Sequence, residues 1–141
     1  MGAVATHIVD SSAMARTRNS MFAAVIDPLI DLGRVATCPV LDFEALFSAR
    51  SPSEYIAIAE LRGRAFDYLP VNDGEWSRAL EVQAVLASES RLREVGMADL
   101  LIAAVAERYG LTLLHYDGDF DTITEITGQD ARWVVPRGQT L

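Results

Sequence analysis

The chain has 141 residues, half of them hydrophobic, with 20 acidic and 12 basic side chains and a formal charge of −8. That length favours one domain, and no apolar run approaches the roughly 18–20 residues that span a bilayer. The acidic balance excludes a non-specific basic coat on nucleic acid, although it leaves room for a nuclease whose acids bind cations.

All the basic residues are arginine. The missing lysine weighs against P-loop NTPases, receiver domains and haloacid-dehalogenase-like phosphatases, each of which relies on one. Cys38, the single cysteine, excludes an internal disulfide and fits a reducing compartment. An acid at position 10 leaves no room for a signal peptide, so a soluble, cytoplasmic protein is expected.

In chain order, residues 6–9 read as a short buried strand closed by Asp10, and Ser11 and Ser12 offer capping chemistry for a helix to about residue 18. A second helix is expected over residues 20–32, with Pro28 as a possible bend and Gly33 as its stop. Pro39 suits the first turn of a helix to about residue 49, and Ser51-Pro52-Ser53-Glu54 restarts one to about residue 65. Residues 66–71 are a strand candidate, and residues 75–87 have helical period. A polar stretch at 88–96 precedes a helix over 98–109, stopped by Gly110. Residues 111–115 form a strand, 120–127 a short helix and 132–135 a last strand. Strands separated by helices predict a parallel sheet covered on both faces.

Four segments place a carboxylate where an apolar or neutral residue is usual. Asp10 and Asp117 close apolar strands, Asp99 opens an apolar helix, and Glu44 lies within one, between Val40 and Leu41 and beside Phe47 rather than with an outward-facing Asp42. In parallel α/β sheets, sites form beyond the C-terminal ends of the strands, which brings Asp10 and Asp117 to one edge. Asp99 falls in the first turn of its helix, where the dipole favours negative charge. Unpaired buried carboxylates cost several kcal/mol each, so a divalent cation is the expected common partner. Each acid also has a plainer reading: a turn, a cap, a helix N-terminal charge, or for Glu44 an ion pair with Arg16 or Arg50.

At these residues the chain resembles a PIN domain, and specifically the VapC toxins of bacterial toxin–antitoxin pairs. The resemblance rests on Asp10-Ser11-Ser12, a helical Glu44, Asp99-x-x-Ile102-Ala103-Ala104-x-Ala106, and Asp117-Gly118-Asp119-Phe120, in that order over nearly the whole chain. Trp133-Val134-Val135-Pro136 adds to the likeness. One departure is His115, where relatives often carry Thr or Ser; a structural role at the strand end is the favoured expectation.

The resemblance implies a single PIN domain over residues 1–141, with a three-layer α/β/α fold around a central parallel sheet of four or five strands. It implies a Mg²⁺- or Mn²⁺-dependent endoribonuclease that hydrolyses RNA phosphodiesters with a metal-activated water, and an oxygen-only ligand set suits those cations. Asp10 and Asp99 would be the principal metal ligands, with Glu44 and Asp117 completing the catalytic pocket. Ser12, Asp119, His115 and Arg16 are candidates for supporting or substrate contacts, and Arg18 is weighed beside Arg16 for phosphate.

The implied partners are RNA, with tRNA as one candidate, a cognate VapB-type antitoxin and a second copy in a homodimer. Phe22, Ile26, Leu29, Ile56 and Ile58 are apolar enough for such contacts, though core is the plainer reading. The rival reading is a catalytically silent PIN-like module that binds RNA or protein. An aspartyl-nucleophile phosphatase is disfavoured by the missing lysine.

Overall fold

Short apolar segments supply the strands, and their alternation decides which layer each side chain enters. The computed structural model describes residues 4–139. Residues 1–3 and 140–141 of the expected domain lie outside the described residues.

Five parallel strands, β1 (His7–Val9), β2 (Val35–Thr37), β3 (Asp67–Tyr68), β4 (Thr112–His115) and β5 (Ala131–Trp133), form one sheet in the order β3-β2-β1-β4-β5. Ile8, Ala36 and Leu113 enter one buried cluster, while Val9, Val35 and Leu114 enter the other. This is the period-two alternation of a sheet covered on both faces. The three-layer α/β/α architecture is the one expected.

The helices are α1 (Ser11–Met14), α2 (Ser20–Asp31), α3 (Pro39–Phe47), α4 (Pro52–Ala65), α5 (Asp73–Ser88), α6 (Met97–Arg108) and α7 (Asp119–Thr127). Ala13 of α1 and Phe22 and Ile26 of α2 cover one face of the sheet. Leu41 of α3 and the inner faces of α5, α6 and α7 cover the other. Residues 100–106 of α6 are buried without a break, so this helix is enclosed all round by the sheet and its neighbours.

Several expectations change. Residues 35–37 form β2, which the sequence reading left without an assignment. Val-Ala-Thr is too short to show a period, and only its pairing with β1 and β3 makes it a strand. Helix α1 ends at Met14 rather than near residue 18, α2 runs through Pro28, and the strand expected over 66–71 shrinks to an exposed two-residue edge. Phe22 and Ile26 are fully buried and belong to the core, not to a docking surface. No described helix is long and apolar enough to cross a membrane.

One buried acid has a structural task. Glu75, 1 % exposed, accepts the Asn72 backbone N–H at 3.0 Å and closes a capping box on α5. Arg108 Nε of α6 lies 3.1 Å from its other oxygen but is too poorly aligned for a hydrogen bond, so the contact is a charge pair. Glu75 thereby fastens α5 to α6. Glu75→Ala is expected to lower unfolding stability by about 2 kcal/mol through the lost cap and unpaired donors, read from the urea midpoint.

Candidate functional site

Asp10 is set by the end of β1. Its backbone N–H donates to the Leu114 carbonyl of β4 at 2.9 Å, and its side chain caps α1 by accepting the Ser12 N–H at 3.0 Å. Its 4 % exposure buries it at the C-terminal edge of the sheet. From the same edge, β4 leads into Asp117, Gly118 and Asp119. Asp117 Oδ1 accepts the Asp119 N–H at 3.0 Å, a turn that points both carboxylates the same way as α7 begins.

Two contacts hold these loops. Tyr116 N–H donates to Ser12 Oγ at 2.9 Å, joining the β1–α1 and β4–α7 connections across the sheet edge. Asp117 N–H donates to His115 Nδ1 at 3.2 Å. His115 is fully buried against the rings of Phe120 and Trp133, at centroid distances of 5.0 and 5.1 Å, and burial holds its pKa below the ordinary value. The imidazole is therefore neutral, with Nδ1 as acceptor and the proton on Nε2. His115 supports the Asp117 backbone from beneath.

Asp99 enters from α6, in a first turn whose Gly96 cap offers no side-chain acceptor. Carboxylate oxygens of Asp99, Asp117 and Asp119 lie within 4.8 Å of one another. Burial, then the charges of Asp10, Asp117 and Asp119, push Asp99 up to about 7. Asp119 is also raised, by burial first and then by Asp117, while its hydrogen bond with Asp99 acts the other way. Asp99 therefore gives up its proton less readily than an ordinary carboxylic acid. Three carboxylates brought this close could hold a metal ion.

The structure sorts the sequence candidates. Asp99 and Asp117 come together as expected, and Asp119, the lesser candidate, is a full member of the group. Asp10 is not part of that trio, but its charge raises Asp99 more than that of any other residue.

Glu44 differs from expectation, because it is exposed rather than set in an apolar face. It pairs with no arginine and instead accepts a hydrogen bond from Ser11 Oγ at 3.0 Å, so it stands at the rim beside Asp10. Asp42, expected to face outward, is half-buried and held by Thr37 Oγ1 at 2.8 Å and Arg62 Nε at 3.0 Å. The helical wheel assigned the two acids to the wrong sides of α3, because α4 delivers Arg62 to the side bearing Asp42. Arg16 donates to the Ser12 carbonyl and covers the Tyr116 ring, which brings it next to the site. The sequence reading overlooked Arg137, whose guanidinium lies over Trp133 and against Gly118.

Asp99 provides a pH test on chelator-treated protein. Its folded pKa of about 7 exceeds the unfolded value, so between about pH 4 and 7 the folded state binds the extra proton. Stability is therefore highest below the unfolded pKa, falls as pH rises to about 7 and stays low above it. The urea midpoint should decline across that window, Asp99→Asn should flatten the decline, and Mg²⁺ or Mn²⁺ should restore stability at neutral pH.

Comparison with known proteins places this geometry. A family model described as PIN domain matches residues 8–126. Ribonuclease VapC21 of Mycobacterium tuberculosis is 37 % identical over 132 residues, covering 94 % of this chain and 96 % of that protein. Among solved structures, DNA-bound VapBC from Salmonella typhimurium superposes with a TM-score of 0.74 at 16 % identity, over 93 % of this chain and 99 % of that one. VapBC-5 of Mycobacterium tuberculosis, described as a member of the VapBC family of toxin–antitoxin systems, gives 0.64 at 26 % identity, over 93 % and 98 %.

Proposed function

Because the chain belongs to the PIN-domain family, we propose that it is a metal-dependent endoribonuclease and the toxin of a VapBC-type pair. The observation that carries the reading is the trio Asp99, Asp117 and Asp119 at the C-terminal sheet edge, with Asp99 pushed up to about 7 by burial and by its neighbours' charge. The similarity to ribonuclease VapC21 supports RNA as substrate.

The donor set fits a hard divalent cation, Mg²⁺ or Mn²⁺: every ligand atom is a carboxylate oxygen, and the mutual repulsion is what a cation offsets. Asp99, Asp117 and Asp119 would hold it, with Asp10 beside them and Glu44 at the rim. When bound, the ion supplies Lewis acidity toward a phosphodiester and its attacking water.

The chain's own groups do the rest. To serve as a ligand Asp99 would have to give up its proton, so occupancy would fall as pH drops below about 7. Ser12 Oγ accepts from the Tyr116 N–H and keeps its hydroxyl hydrogen free to donate to a phosphate oxygen. His115 Nδ1 fixes the backbone at Asp117, which holds that carboxylate in place. Trp133 and Phe120 exclude water from beneath the loop by packing on His115.

A protein partner also fits. None of the residues of α4 is buried. Between α3 and α4 lies a groove of about 1040 Å³ lined by Phe43, Phe47, Tyr55, Ile56 and Tyr68. Phe43 is 78 % exposed and Phe47 93 %, an apolar surface of the kind that marks an interface. A VapB-type antitoxin and a second copy of the chain are the partners proposed, in the cytoplasm, with the described residues acting as one PIN domain. Phe43→Asp with Phe47→Asp is expected to leave folding stability within about 0.5 kcal/mol and to shift any self-associated species toward monomer in light scattering.

The nuclease is tested with antitoxin-free protein and total cellular RNA, in Mg²⁺, Mn²⁺ or chelator. Cleavage should require metal and fall about a hundredfold or more in Asp99→Asn and Asp117→Asn, while the fold persists by circular dichroism. Absence of cleavage in every metal would favour the silent binding module.

A further inference from the structure

Beside the acidic trio runs a file of four side chains, of which the proposed function above uses only Trp133, as packing on His115. The Arg16 guanidinium covers the Tyr116 ring at 4.9 Å, and Tyr116 meets Trp133 edge-on at 5.2 Å and 85°. Arg137 covers the Trp133 ring at 5.3 Å. Tyr116 follows β4 and Trp133 ends β5, so the file occupies the same C-terminal sheet edge as the acids.

Each member is fixed by a separate contact. Arg16 donates to the Ser12 carbonyl, and Trp133 Nε1 donates to both Asp121 carboxylate oxygens at 3.1 and 3.2 Å. The Tyr116 hydroxyl accepts the Gly138 N–H at 2.7 Å, which ties down the segment carrying Arg137. Arg137 in turn lies against Gly118, between Asp117 and Asp119, where an added Cβ would come within 3.4 Å of its Nη1.

These two arginines differ from others in the chain. Arg62, Arg78, Arg91, Arg108 and Arg132 each pair with a carboxylate; of the arginines without such a pair among the described residues, only Arg16 and Arg137 lie over an aromatic ring. In a protein of charge −8, aromatic rings hold two unneutralised cations at the border of an acidic site. A guanidinium stacked on a ring keeps in-plane N–H groups available for two-point contact with a phosphate. A carboxylate cluster repels a polyanion, so the strand needs cations on either side to approach it.

We propose that Arg16 and Arg137 are the phosphate clamp for single-stranded RNA flanking the bond presented to the acids, with Tyr116 as the positioning residue for both. This rests on the ribonuclease reading. The clamp grips backbone rather than bases, so it acts on any sequence and its contribution is salt-sensitive.

The test is binding of a short fluorescein-labelled single-stranded RNA of mixed sequence to Asp99→Asn protein in Mg²⁺, by anisotropy over a salt series. In that background Arg16→Gln and Arg137→Gln should each weaken binding severalfold and flatten the slope of log affinity against log salt by about 0.7, the value for one phosphate contact on a single strand. Arg16→Lys and Arg137→Lys keep the charge and should keep most of the slope. Tyr116→Phe should reproduce part of the Arg137→Gln loss, since it frees the Gly138 segment while leaving a ring beneath Arg16. Arg64→Gln, on the exposed α4, should change neither quantity.

RNA binding with unchanged slopes in both glutamine variants would overturn the clamp alone. No RNA binding by the Asp99→Asn protein at any salt would overturn the clamp together with the ribonuclease reading.

Discussion

Repulsion among carboxylates at one edge of a parallel sheet is the constraint around which this structure is organised. The topology brings Asp10 from the end of β1 and Asp117 from the end of β4 to the same edge, because adjacent parallel strands finish together. Helix α6 then adds Asp99, and the first residue of α7 adds Asp119. Burial keeps water from screening them, and Asp99 responds by holding a proton up to about pH 7. A domain of ordinary stability, roughly 5–15 kcal/mol, tolerates such a cluster because the surrounding framework is tightly fastened.

That fastening is visible in the contacts beneath and beside the site. Ser12 joins two loops through the Tyr116 N–H, and His115 receives the Asp117 N–H from a pocket walled by Phe120 and Trp133. Behind Asp99, the continuous apolar run of α6 is clamped between the sheet and α5, and Glu75 with Arg108 ties α5 to it. The acids therefore cannot relieve their repulsion by moving apart. Together with burial, that repulsion raises the pKa of Asp99 and of Asp119.

The two sides of the molecule divide the remaining work. Along the C-terminal edge, polar loops and arginine-capped rings surround the acids, a surface suited to a charged polymer. Around α3 and α4 the exposed groups are instead aromatic and aliphatic, and α4 buries none of its own residues. Glu44 belongs to both regions, since it projects from α3 yet reaches Ser11 beside Asp10. A partner seated on α3 and α4 would lie within contact distance of the acidic rim through that one residue.

The sequence by itself determined the order of the helices and of four of the five strands, the parallel α/β class and which carboxylates are unusual for their element. Those features are written in local terms: apolar runs of strand or helix length, capping residues at Ser51 and Gly33, and carboxylates interrupting apolar patterns. The tertiary structure alone decided the rest. Val35-Ala36-Thr37 became a strand only through its neighbours on both sides, because three residues carry no readable period. Glu44 turned outward and Asp42 inward because α4 supplies Arg62 to one side of α3, a pairing between residues 20 apart in sequence. Asp119 joined the acidic trio through the turn at Gly118, and Arg137 reached the same edge because Tyr116, 22 residues before Gly138, holds the closing segment in place. Local pattern records which residues are unusual for their element; which charges face one another depends on how the elements pack, since charge interactions are set by distances that sequence separation does not encode.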